Sequence, residues 1–171
     1  MIWLTADEHH AHRNIIRHCN RPFKNIVEMR KTITKEANNV LKKGDELWHV
    51  GDYIWYGPEK RHYYEETFAM YLEGVTHHLV LGNHDRANPF FYVETGFTTV
   101  HTAVSLTIGG ITYVLAHDPS AYCAVGNKAV LLCAHIHTLF KVLPKERVIN
   151  VGVDQWNFRP VSMEEIQKIL P

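Results

Sequence analysis

The sequence has no excess of charge: its 18 Lys and Arg residues are matched by 18 Asp and Glu. With no overall field to hold the chain against a polyanion, binding to long nucleic acid or to an anionic membrane surface is not expected. Any anionic ligand must be attracted locally. Long apolar runs are absent as well. The opening MIWLTADEHH reaches a carboxylate after a few apolar residues, too early for a secretory signal, and no later stretch approaches the ~20 residues of a membrane helix. A cytoplasmic protein without a membrane partner is expected. Cysteine is scarce: Cys19, Cys123 and Cys133 form neither a CxxC pair nor an even set. That excludes a zinc ribbon and a disulfide scaffold, and leaves the three thiols as small apolar packing residues.

Histidine, by contrast, is abundant, with 13 copies in 171 residues. Neutral imidazole is the commonest metal ligand, so where these rings fall matters more than their number. The length and the 46% hydrophobic content suit one domain over residues 1–171. Short runs rich in β-branched and aromatic residues predict strands at 2–6, 46–50, 77–81, 103–108, 111–116, 130–134 and 147–151. Gly109-Gly110 between two of them predicts a hairpin. Helical patterns cover 13–18, 26–41, 59–72 and 163–170, the last with Ser162 as N-cap and Glu165 at the capping-box position. Strands and helices alternate early and strands dominate later. This order predicts an α/β fold whose sheet layers are covered by helices and are not purely parallel.

Five of these strands end on a metal-ligand residue: Asp7 after WLTA, Asp52 after LWHVG, Asn83 after HLVLG, His117 after YVLA and His135 after CA. In sheets with helical cover the ends of neighbouring strands meet along one edge, so residues distant in sequence can converge there. Asp7 and His9 lie two apart, as do His135 and His137, a spacing that directs both side chains to one side of an extended chain. Gly51 and Gly82 precede Asp52 and Asn83 and permit a close backbone approach. A donor set of Asp, Asn and His without thiolate suits manganese, iron, zinc, cobalt or nickel better than a lone magnesium or a structural zinc. Seven donors exceed one tetrahedral site, whereas two ions bridged by Asp52 use them all. Two divalent ions about 3.5–4 Å apart polarise a phosphoryl oxygen and bring the pKa of a bound water toward about 7, supplying hydroxide as nucleophile. His84 is then free to protonate the leaving oxygen, with Asp85 placed to orient its ring.

These blocks, Asp7-Glu8-His9, Gly51-Asp52, Gly82-Asn83-His84-Asp85, His117 and Ala134-His135-Ile136-His137, resemble in order the DxH, GD, GNH-Asp/Glu, H and GHxH pattern of the calcineurin-like metallophosphoesterase superfamily. The resemblance implies one metal held by Asp7, His9, Asp52 and His137 and a second held by Asp52, Asn83, His117 and His135, with His84 beside the phosphate. It also implies a four-layer αββα sandwich of two mixed sheets flanked by helices. The segments HAHRNIIRHCNRPF and NVGVDQWNFRPVS further resemble a branch of small bacterial and phage phosphoesterases. Two departures stand out. Ala134 occupies the usual glycine position without removing a ligand, and the block from Gly51 to Gly57 lacks the Asp and Arg of the protein-phosphatase pattern GDxVDRG.

Without that arginine the grip on a phosphomonoester is unsupported, which turns the expectation toward phosphodiesters. Neutral charge and a short chain favour a small nucleotide-like substrate, cyclic or dinucleotide, over a polymer. A phosphomonoesterase or nuclease on the same centre, or a non-catalytic nucleotide-binding module, are the alternatives. His12, Arg13, Asn14 and Arg21 are candidate phosphate or substrate contacts, set against a solvated helix face and a turn before Pro22. His10 stands beside them. Tyr53, Trp55 and Trp156 could stack a base or could simply anchor loops. His49 lies inside a strand pattern and reads as structural, while His18, His62, His77, His78 and His101 are assigned to surface or core.

Overall fold

The computed structural model describes residues 1–55, 58–125 and 128–169. Tyr56 and Gly57 of the GD block and Leu170 of the last helical pattern lie outside them. Ten strands form two five-stranded sheets. The first has the order β10-β1-β2-β3-β4, with β1 Ile2–Thr5, β2 Glu46–Val50, β3 Thr76–Val80, β4 Thr99–His101 and β10 Val161–Ser162. The second runs β5-β6-β7-β9-β8, with β5 Val104–Ile108, β6 Ile111–Leu115, β7 Val130–Cys133, β8 Val142–Leu143 and β9 Val148–Asn150. Both are mixed. In the first, β1 to β4 are parallel and β10 is antiparallel, while β6, β7 and β9 are the parallel centre of the second. Helices α1 Ile15–His18, α2 Ile26–Val40, α3 Arg61–Phe68, α4 Pro89–Glu94, α5 Tyr122–Val125 and α6 Met163–Ile169 complete the order.

The period-2 alternation of strands sorts side chains into layers. Leu4, Trp48, Val50 and Val80 of the first sheet meet Tyr113, Leu115, Val130, Leu132 and Ile149 of the second in one cluster, closed at its edge by Met163 and Ile166 of α6. The alternate residues Trp3, Leu47 and Leu79 face the other way and pack under Ala37, Tyr64, Phe91 and Tyr92 of α2, α3 and α4. Leu131, Cys133 and Val148 likewise face outward toward Tyr122 of α5. The expected arrangement of two stacked mixed sheets with helices outside is therefore the observed one.

Local chemistry explains the element ends. The Asn25 side chain accepts from the Glu28 amide at 2.9 Å and starts α2, whose buried face is Met29, Ile33 and Ala37 at i, i+4 spacing. The β5–β6 hairpin turns on Gly109 and Gly110, with φ of 59° and 81°, as a two-residue loop with two left-handed positions requires. Three strands and two helices escaped the sequence reading: β4, β8, β10, α4 and α5. None is long enough to show alternation or a helical period, although Asn88-Pro89 at the start of α4, with Asn88 accepting from the Phe91 amide at 3.1 Å, is a start signal of its own.

The capping box of α6 is present in full: the Glu165 amide donates to Ser162 Oγ at 3.1 Å and the Ser162 amide donates to Glu165 Oε2 at 3.0 Å. Arg159 adds an ion pair at 2.6 Å and, despite the opposing effect of burial, its hydrogen bond with those of Ser162 holds the Glu165 carboxyl down at about 2. Because the folded-state value lies below the unfolded one, this stabilisation is present above about pH 4.5 and is lost as pH falls toward 2. Glu165→Gln should therefore cost roughly 1 kcal/mol at pH 7, allowing for solvent screening of a partly exposed pair. Urea unfolding of both proteins should show the difference shrinking below pH 4; a pH-independent difference would contradict the ion-pair contribution.

Candidate metal centre

The loops that follow β1, β2, β3, β6 and β7 meet at the carboxyl ends of the parallel strands. Backbone hydrogen bonds lock them together: the Asp7 amide donates to Gly51 O at 3.0 Å, the His9 amide to Asp52 O at 2.9 Å, the Ala134 amide to His117 O at 2.9 Å and the Val153 amide to Ala6 O at 3.0 Å. The last of these joins one sheet to the other. Five of the expected ligands, Asp7, His9, Asp52, His135 and His137, hold left-handed backbone angles with φ between 46° and 72°. Non-glycine residues seldom adopt that region, and such conformations concentrate at sites where the surrounding structure dictates side-chain direction. Here the turns swing each donor back over the strand end. A Cβ on Gly82 would lie 2.5 Å from the Asp52 amide nitrogen, and one on Gly51 would collide with the His117 ring, so these two glycines allow the loops their contact.

The donors fall into two groups. Asp7, His9 and His137 offer ligand atoms within 4.8 Å of one another, as do Asp52, His117 and His135. Asn83 Oδ1 belongs with the second group, 3.0 Å from His117 Nε2 and 2.9 Å from His135 Nδ1. Asp52 Oδ2 faces both groups, 3.5 Å from His9 Nε2 and 3.3 Å from His117 Nε2. All seven residues expected as ligands are thus brought together. The donor set fits divalent cations on an observation of its own: His9 is 1% exposed and neither ring nitrogen has a hydrogen-bond partner. A buried imidazole with no partner is costly unless something else engages it.

The electrostatics fit as well. Burial pushes the Asp7 carboxyl up to about 6 and the His9 imidazole down to about 2. Burial opposes ionisation of Asp52 too, but His117, His9 and the His84 amide hold it down at about 2. Against the same desolvation, His117 rises to about 9 through Asp52 and Asp7, and His137 to about 10 through Asp154, Cys19 and Asp7. Protons on these two imidazoles occupy the place of positive charge that cations would fill, and a cation must displace them to bind.

His84 sits at the rim, its Nε2 3.9 Å from Asp52 Oδ2 and its amide donating to Asp52 Oδ1 at 2.9 Å. A cavity of about 490 Å³ opens beside it, lined by His9, His12, Asn14, Trp55 and His137 among others. Trp55 stacks on His12 with ring centroids 3.8 Å apart and lies 4.3 Å from the His84 ring. Of the expected substrate contacts, His12, Asn14 and Trp55 are at this cavity.

The others are elsewhere. Arg13 is exposed and faces a different groove with Ile26, Arg30 and Tyr63. Arg21 is 4% exposed and its guanidinium is fully engaged: with Asp154 at 2.8 and 2.7 Å, with Asp7 O at 2.7 Å, with Glu8 O at 3.2 Å and with Met29 Sδ at 3.4 Å. It clamps the first ligand loop and has no donor left for a phosphate. Trp156 is a core residue whose Nε1 donates to Asn150 O at 2.8 Å, and Tyr53 is fully buried, so neither presents a stacking face. His10 is also buried, against Tyr53 and Tyr71.

Asp85 requires a correction of role. Its buried carboxylate accepts from the amides of Asp52 at 2.7 Å, Gly82 at 2.9 Å and Tyr53 at 3.3 Å, which spends it on holding the Gly82 and Asp52 loops together rather than on the His84 ring. Burial pushes it up to about 7. Three supporting groups were missed. Asn150 donates to His137 O at 2.9 Å and Phe140 O at 3.0 Å. Asp154 lies 3.3 Å from His137 Nδ1, and Glu8 pairs with His49 at 2.5 Å, which in turn contacts His77 at 3.0 Å. Asp154 carried a weaker signal: the strand at 147–151 also ends on a glycine, Gly152, but Val153 separates it from the acid.

The model of the family described as calcineurin-like phosphoesterase matches residues 1–160. The chain belongs to this family. It is accordingly a phosphoesterase of a family that uses divalent metals, and the two donor groups above are its candidate cation positions. An uncharacterized protein of Methanocaldococcus jannaschii is 31% identical over 174 residues, covering 99% of this chain and 90% of the relative. A solved protein of unknown function from Aquifex aeolicus is similar in fold, with a TM-score of 0.79, 24% identity and 99% of each chain covered. No helix among the described residues is long and apolar enough to cross a membrane.

Proposed function

We propose that this calcineurin-like phosphoesterase is a dinuclear-metal phosphodiesterase acting on a small nucleotide-like substrate. The observation that carries the proposal is the position of Asp52 Oδ2, within 3.5 Å of one imidazole from each donor group, where a carboxylate can serve two cations at once. Manganese is the favoured metal, with iron, zinc, cobalt and nickel compatible with the same donors. When bound, the pair supplies Lewis acidity toward a phosphoryl oxygen and an activated water.

The chain's own residues do the rest. His84 reaches into the cavity from a backbone fixed by Asp52, and donates a proton to the leaving oxygen. Burial lowers its pKa, and an arriving phosphate anion counters that shift by favouring the protonated ring. His12 and Asn14 contact the non-bridging part of the substrate. Asp85 and Arg21 are positioning residues that hold the ligand loops. The absence of the phosphatase-type arginine and a net charge of zero favour a small diester over a monoester or a polymer. Three free cysteines suit the reducing cytoplasm we assign to the protein.

With manganese, bis-p-nitrophenyl phosphate should be turned over with a kcat/KM at least about tenfold above that of p-nitrophenyl phosphate, a difference of about 1.4 kcal/mol in transition-state binding. A ratio inverted in favour of the monoester would overturn the diesterase assignment, and cleavage of a labelled single strand would point to a nuclease instead.

A further inference from the structure

Cys19 was expected to be a small packing residue. It does pack against the Ile15, Met29, Ile33 and Val153 cluster, but it is only partly buried and it reaches the cavity wall beside His137. Its sulfur, a His137 ring nitrogen and an Asp154 carboxylate oxygen lie within 4.8 Å of one another. We infer that these three side chains form a third cation position, selective for a thiophilic divalent ion such as zinc, that shares His137 with the Asp7–His9 group.

The chemistry of the donors differs from that of the two groups already described. A thiolate is a soft ligand and draws zinc or cadmium, whereas the carboxylate, amide and imidazole donors elsewhere suit manganese or iron. Three protein donors of Cys, His and Asp type are enough to hold zinc with one position left to water. Charge permits it: Asp154 has a 2% exposed side chain and is paired with Arg21, so with the thiolate formed and the His137 ring neutral the cluster that receives the cation is negative by one. The thiol proton and the His137 ring proton leave to solvent as the metal–sulfur and metal–nitrogen bonds form. His137 is the shared element, because its Nδ1 is 3.6 Å from Asp7 Oδ2 and 3.3 Å from Asp154 Oδ2. One ring nitrogen cannot bind two cations, so a thiophilic cation held through Nδ1 at Cys19 excludes a harder cation from that atom on the Asp7–His9 side. This sharing rests on the metal assignment proposed above; the thiolate position does not.

Cadmium is the probe, since its bond to a thiolate gives an ultraviolet charge-transfer band independent of turnover. Titrating the chelator-treated chain with Cd²⁺ should raise this band to saturation. The band should be lost in Cys19→Ser and in Cys19→Ala, which keeps the apolar packing, and retained in Cys123→Ser, with thermal unfolding confirming that each variant is folded. A band that survives both Cys19 variants, or none in the unaltered chain, overturns the site. Asp154→Asn should weaken cadmium at least about tenfold, and unchanged affinity would remove Asp154 from the donors. Saturating Mn²⁺ should suppress the band through His137; a band indifferent to manganese overturns the sharing of that ring.

Discussion

Exchanging Asp52 for Asn should remove metal and activity together: bound manganese falls from two per chain to at most one, and turnover of a diester drops about 10²–10³-fold or more. The substitution keeps the size of the side chain and the acceptor that receives the His84 amide, so the loop stays in place. What it removes is the anionic oxygen that faces His9 and His117. An amide nitrogen turned toward those rings would put donors where a cation needs acceptors. Metal analysis after gel filtration, alongside kcat, checks the outcome. Full occupancy of both positions in the variant would show that Asp52 does not bridge.

His84→Ala should separate the two quantities. Turnover falls by about 10²–10⁴-fold, the usual worth of a positioned general acid, while metal content is unchanged. The ring lies 3.9 Å from Asp52 Oδ2 and stands outside both donor groups, and its backbone contact survives truncation. The loss should be greatest for diesters with a poor leaving group, such as an alkoxide, and small for p-nitrophenolate, which departs without a proton. Equal losses for both substrates would assign His84 to phosphate binding rather than to proton transfer, and an unchanged rate would take it out of the mechanism.

The candidate ligands were legible because Asp7, Asp52, Asn83, His117 and His135 each close an apolar run, so strand pattern and chemistry mark the same position, and His9 and His137 lie two residues beyond the first and the last of them. Asp154 was harder to see, since it comes after Gly152 and Val153 and its partners, Arg21 and His137, are distant in sequence. Arg21 illustrates the opposite failure. Beside a turn and near the DxH block it reads as a phosphate contact, but its five donors are consumed by carbonyls, a thioether and a carboxylate brought in from 133 residues away. Trp156 misleads for a related reason: the turn after β9 carries its ring inward to the core, with Lys141 Nζ over one face at 3.7 Å. The short strands β4, β8 and β10 could not be found from alternation, because a period needs more repeats than they contain.

Each donor group draws on both sheets: Asp7 and His9 come from the first and His137 from the second, while Asp52 comes from the first and His117 and His135 from the second. A cation seated in either group is therefore a rivet across the seam of the sandwich, and its binding energy resists any sliding of one half over the other. Catalytic readiness and mechanical integrity along that seam are one property of the molecule, so stripping the metal should loosen the active edge first, well before the helices on the outer faces begin to open.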